Sequence, residues 1–115
     1  MAAPEPIDQL TFVPYLGGLG KRLTATTSTA SVEIPGMGVG QGKDGHRVMF
    51  TNGGTVAAFV RMGGPGVVAT LDCYELAPGT TQSLGAPFTP NIAVWYAVIT
   101  ESGTTKISAC AGVGI

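Results

Sequence analysis

Histidine-based catalysis in this 115-residue chain would have to begin at His46, its single histidine. Ser–His chemistry would rest on that one residue, and a His-rich metal site is excluded. Its neighbours Lys43, Asp44 and Arg47 mark it instead as a solvated residue at the start of a strand. The seven acids, Glu5, Asp8, Glu33, Asp44, Asp72, Glu75 and Glu101, are scattered. Asp72 and Glu75 lie close together without the spacing of a calcium loop, and nothing points to a carboxylate pair for glycoside hydrolysis. The glycine-rich run Pro35–Gly45 invites a phosphate-binding reading and does not support one. A P-loop ending at Gly42-Lys43 would need glycine where Met37 stands and Ser or Thr where Asp44 stands. A dinucleotide fingerprint starting at Gly36 and Gly38 meets Gln41 in place of its third glycine, with no helix to follow. Cys73 and Cys110 form no C-x-x-C pair. They read as small buried hydrophobes, with a disulfide formed outside the cell as the alternative. Trp95, Tyr96 and Tyr74 have the chemistry of a sugar-stacking platform, but aromatics inside apolar strands are expected in the core. The sequence therefore predicts no catalytic residue, no metal site and no cofactor.

The composition says what kind of scaffold would have to position any site. There are 18 Gly and 8 Pro, only 11% of residues are charged, and strong helix formers are scarce. Val, Thr and Gly recur at short intervals, the pattern of short strands joined by tight turns. A net charge of −1 provides no basic field for nucleic acid, and it leaves little to keep copies apart in solution. No run approaches the roughly 20 apolar residues of a membrane helix. Met1–Leu10 lacks the pattern of a signal peptide, so synthesis in the cytoplasm is expected.

Arg47–Met62 reads as a β-hairpin turning at Asn52-Gly53-Gly54, with Phe50 facing Val56 and Val48 facing Ala58. Its alternation places Val48, Phe50, Val56, Ala58, Val60 and Met62 on one face, and Arg47, Met49, Ala57, Phe59 and Arg61 on the other. Further strands are expected at Lys21–Thr27, Ser31–Ile34, Val67–Leu71, Tyr74–Leu76, Thr80–Leu84, Asn91–Thr100 and Thr104–Ala109, with Ala111–Ile115 as an apolar tail. Asn91–Thr100 is apolar on both faces, which predicts a central strand covered on both sides. The fold class is therefore all-β: one compact antiparallel β-sandwich over residues 21–115, jelly-roll-like with about eight short strands. A Greek-key immunoglobulin-like sandwich is the alternative, since strand order is not written in the pattern. Val48, Phe50, Val60, Val94, Tyr96 and Ile107 are the expected core.

Residues 1–20 differ from the rest. Leu10, Phe12, Val13, Tyr15, Leu16 and Leu19 are too apolar for a solvated tail, while Pro14, Gly17, Gly18 and Gly20 prevent a long helix. They are read as an extended N-terminal arm and as the candidate partner-binding residues. The arm either lies back on its own domain as an irregular edge strand or docks on a neighbouring subunit.

The block LTATTSTASVEIP…RVMFTNGGTVAAFVRMG…VVATLDCYELAPGTTQSLGAP…IAVWYAVITESGTTKISACAGVGI resembles small structural proteins of tailed bacteriophages over about 95 of the 115 residues. The shared features are a Thr-rich opening, a V-x-F/V-T-N-x-G turn, an F-V-R strand, an L-x-P-G-T turn and a closing A-x-I-x-x-S-G-T hairpin. The resemblance implies a non-enzymatic virion component. Its type would be a head decoration or cement protein, clamping neighbouring major capsid protein subunits and contacting other copies of itself as a homo-oligomer. A tail or neck structural protein, or a carbohydrate-binding module, is the alternative expectation.

Overall fold

The structure is a computed structural model that describes residues 13–14, 19–35, 46–85 and 94–113. Nine strands and no helix are found among them: β1 Val13–Pro14, β2 Lys21–Ala25, β3 Ala30–Glu33, β4 His46–Asn52, β5 Ala58–Gly63, β6 Tyr74–Leu76, β7 Thr81–Gly85, β8 Trp95–Ile99 and β9 Thr105–Val113. One sheet runs β2-β9-β4-β7, with β1 also paired to β9, and the other runs β3-β8-β5-β6. Every pairing is antiparallel.

The pairings are nested. β5 pairs with β6, β4 with β7, β3 with β8 and β2 with β9. The chain is thus one long hairpin with its tip between Gly63 and Tyr74, rolled up so that β4 also meets β9 and β5 meets β8. That is the strand order of a jelly roll, and it decides against the immunoglobulin-like alternative.

The roll corrects the expected hairpin at Arg47–Met62. β4 belongs to one sheet and β5 to the other, so Phe50 pairs with Gln82 and Ala109 rather than Val56, and Val48 pairs with Leu84 and Ala111 rather than Ala58. The closing turn at Glu101-Ser102-Gly103 likewise passes from one sheet to the other, because β8 and β9 do not pair. The facing assignment holds all the same. Both strands turn their inward residues toward the same space, so Val48, Phe50, Ala58 and Val60 are all buried. Most other strand ends shift by a residue or more, and two differences are larger. Val67–Leu71 is part of the tip loop, and Ala111–Val113 is the end of β9 rather than a tail.

The core lies between the sheets and contains the whole expected set, together with Ile34, Leu76, Val98, Ala109 and Ala111. Phe50 and Tyr96 meet edge to face in its middle, with ring centroids 5.3 Å apart at 70°. Tyr96 is completely buried, yet its hydroxyl donates to the Lys21 carbonyl at 2.9 Å, so the ring fills the core while its polar end closes the β2 edge. Burial pushes its pKa above the usual tyrosine value. A raised folded-state pKa favours the fold below the unfolded value, and that contribution is lost as pH climbs past about 10. Tyr96→Phe is expected to cost about 1–2 kcal/mol at neutral pH by orphaning the carbonyl. It should also flatten the alkaline fall in stability, which denaturant melts across pH would show.

Candidate functional site

His46 opens β4, opposite Val113 of β9. Among the described acids, Glu33 and Glu75 lie on β3 and β6, Asp72 in the tip loop and Glu101 in the β8–β9 turn. Among the described residues no three His, Cys, Asp or Glu side chains gather as a metal site would require. The glycine-rich run 36–45 lies outside the described residues. Cys73 and Cys110 are free and only half-buried, so neither expectation for them is met in full. Cys73 sits in the tip loop, its sulfur accepting from the Thr70 amide at 3.3 Å. Cys110 lies on the outer face of the β9 sheet, and burial pushes its thiol pKa up, away from the reactive thiolate.

The three aromatics do not combine. Tyr96 faces inward. Trp95, one residue along, faces outward between Glu33 and Gly63. Tyr74 pairs with inward-facing Val60 at the sandwich margin and is 44% exposed. Trp95 and Tyr74 therefore occupy opposite faces of one sheet and present no joint stacking platform.

The polar chemistry of the interior converges on Asn52, which is fully buried where the chain leaves β4 for the other sheet. Its side-chain amide donates to the carbonyls of Val56 and Leu76, both at 2.9 Å. Its side-chain oxygen accepts from the Gly54 amide at 3.1 Å and from the Thr105 hydroxyl. Its backbone bonds to Thr80 and Gly79. One side chain thus ties the β4–β5 corner to the end of β6 and the start of β9. Gly54 is part of the same joint, because a Cβ there would fall inside the Thr105 side chain. Among the described residues no buried side-chain nitrogen or oxygen lacks a partner. The interior polar groups are therefore occupied with holding corners.

Exposed apolar surface is concentrated elsewhere. The exposed large hydrophobics among the described residues are Leu19, Val68, Leu71 and Tyr74. Three of these four fall within seven residues at the hairpin tip. The tip is pegged, since buried Ala69 donates its amide to the Thr29 hydroxyl at 2.9 Å and the Cys73 amide bonds to the Thr70 carbonyl. The pegged loop leaves Val68 and Leu71 exposed, and Tyr74, the first residue of β6, is exposed next to it at the sandwich margin. The strand expected at Val67–Leu71 does not form, so this exposed apolar cluster is not foreseen by strand alternation. The signal was present in Gly63-Gly64-Pro65-Gly66, which opens a long loop.

Of the arm residues singled out by sequence, Val13 lies in β1 opposite Val113, and Pro14 pairs with Gly112, an edge strand on the chain's own β9. Leu19 is 57% exposed, beside the Leu19 carbonyl contact with the Cys110 sulfur at 3.9 Å. Leu10, Phe12, Tyr15 and Leu16 lie outside the described residues.

No family model matches the chain, and no curated protein matches it in sequence. A solved structure does resemble it in shape. A crystal structure of PirA superposes with a TM-score of 0.52 at 14% identity, covering 81% of this chain and 92% of that one. A solution structure of a de novo designed double-stranded β-helix gives a TM-score of 0.45 at 16% identity, covering 81% of this chain and 97% of the design. KdgF from Halomonas sp. gives 0.30 at 17% identity, covering 90% and 89% of the two chains. At these identities the likeness to PirA is one of fold alone, and it agrees with the rolled hairpin traced above.

Proposed function

We propose that this chain is a non-enzymatic virion structural protein, a head decoration protein that binds and stabilises neighbouring major capsid subunits. The observation that carries this reading is the separation between the interior and the tip. Asn52, Tyr96 and Thr105 direct their polar groups to the scaffold, while Val68 and Leu71 are exposed on a pegged loop and Tyr74 is exposed beside it at the start of β6. The sequence resemblance to small phage structural proteins supplies the class of partner. The apolar arm supplies a second contact through Leu10, Phe12, Tyr15, Leu16 and exposed Leu19, while Val13 is paired to the chain's own β9.

The test uses purified full-length chain and empty heads assembled from the major capsid protein of the same phage. The chain is expected to bind in a fixed ratio and raise the temperature at which the heads fall apart. Deleting Met1–Gly20 should leave the β-spectrum intact while reducing head occupancy, and Leu71→Asp with Tyr74→Asp should reduce it further. Full occupancy by both variants, or no binding by the intact chain, would overturn the reading.

A further inference from the structure

The two outer faces of the sandwich differ in a way that neither the fold nor the particle contact requires. On the β2-β9-β4-β7 sheet the ladder register puts Arg22 opposite Ser108, Ser108 opposite Thr51, Cys110 opposite Met49, and Thr24 opposite Lys106. Arg47 stands further along β4 on the same face, its guanidinium laid over Ser83 at 2.8 Å. Three cations therefore occupy this face, and among the described residues no acid does. It also contains a hollow of about 330 Å³, lined by Lys21, Arg22, Met49, Thr51, Ser108 and Cys110. Gly20 forms part of its wall, and a Cβ there would come within 2.5 Å of the Ala109 carbonyl oxygen.

The outer face of the β3-β8-β5-β6 sheet has the opposite character. Trp95 stands half-exposed beside its cross-strand neighbour Glu33, with Ile99, Phe59 and Glu75 in a row farther along. This outer side of β8 was expected to be covered, yet Trp95 and Ile99 remain half-exposed. Arg61, the one cation on this face among the described residues, reaches toward the Val68 carbonyl at 3.5 Å. The Trp95–Glu33 corner is thus an aromatic side chain with a carboxylate next to it, at the rim of a hollow that Lys21, Val32 and Pro35 also line. The hollow opposite offers a guanidinium, two sulfurs and two hydroxyls. An indole fits such a site through cation–π contact with arginine and sulfur–aromatic contact with methionine, and the adjacent carboxylate meets the same arginine.

We propose that the partner for each of these faces is a second copy of this chain, with the Trp95–Glu33 corner of one copy seated in the Arg22–Met49–Cys110 hollow of the next. The contact is heterologous, since each copy uses one face to give and the opposite face to receive, so copies add in stacks or close into rings. It needs no capsid and is read in free solution, so its failure and that of the capsid reading are separable.

The test is sedimentation velocity on the full chain over a concentration series at low and high salt. The intact chain is expected to associate as concentration rises and less so at high salt, because the charged groups lie at the rim. Arg22→Glu and Trp95→Ala, with melting curves confirming that each is folded, should each weaken association roughly thirtyfold, as loss of an anchor residue does. Mixed together they should form one-to-one pairs and nothing larger, because each still has one intact face. Arg22→Glu combined with Glu33→Arg in one chain should regain association, which keeps the test independent of how well Trp95→Ala folds. A chain that stays monomeric into the millimolar range, single variants that associate like the parent, or a mixture that forms no pairs would each overturn the proposal.

Discussion

Replacing Asn52 with alanine is expected to cost about 3–5 kcal/mol, because it strands several buried groups at once. The Leu76 and Val56 carbonyls lose their donor, and the Gly54 amide and Thr105 hydroxyl lose their acceptor. Each buried polar group left without a partner costs about 1–3 kcal/mol, moderated where water or relaxation reaches it. Domains of this size have about 5–15 kcal/mol of total stability, so most of the margin would be lost. Asn52→Asp separates this account from simple loss of volume. Aspartate has nearly the same shape, yet an ionised carboxylate accepts hydrogen bonds without donating, so both carbonyls remain unpaired and a charge is buried among them. Urea melts are expected to show Asn52→Asp at least as destabilised as Asn52→Ala near neutral pH. An aspartate variant as stable as the parent would show that shape rather than hydrogen bonding secures the corner.

Phe50→Ala is expected to be of similar size, about 3–5 kcal/mol, through a different mechanism. Phe50 is fully buried and lies edge to face on Tyr96. Truncation removes the transfer free energy of the ring and leaves a cavity between two sheets whose β4, β8 and β9 backbones are fixed by ladders on both sides. Central strands cannot move in to fill the space without breaking those ladders, so little of the cost should be recovered by collapse. Phe50→Leu retains most of the volume and should cost less, though it loses the aromatic pair, worth about 0.5–1.5 kcal/mol. Calorimetry on the two variants gives the ordering. Equal losses for alanine and leucine would indicate that the ring pair, rather than the cavity, carries the effect.

These two positions also show which parts of the molecule could be read along the chain. Phe50 was legible because facing in a strand is a local property. Alternation with period two assigned Val48, Phe50, Ala58 and Val60 to one side, and any sandwich that buries that side must bury those four. The double apolar alternation of Asn91–Thr100 likewise gave β8 its central place, between β3 and β5. Turn chemistry located most chain reversals, and Tyr74–Leu76 has the expected boundaries.

Asn52 was legible only as a turn. The sequence Asn-Gly-Gly reports that the backbone can reverse there, and two flanking strands that reverse direction look the same whether they pair or part into separate sheets. That choice rests on partners far away in the chain: β4 is claimed by β7 and β9, and β5 by β6 and β8. Only after the roll forms do Leu76 and Thr105 arrive within reach of the Asn52 side chain. The contact surfaces followed the same division. The apolar arm and the low charge were visible as composition. The exposure of Val68, Leu71 and Tyr74, which are near neighbours in the chain, and the sorting of Arg22, Arg47 and Lys106 onto a face away from Glu33 and Glu75, required tertiary structure. Alternation says that two residues share a side of a strand, and long-range pairing decides which strands lie side by side.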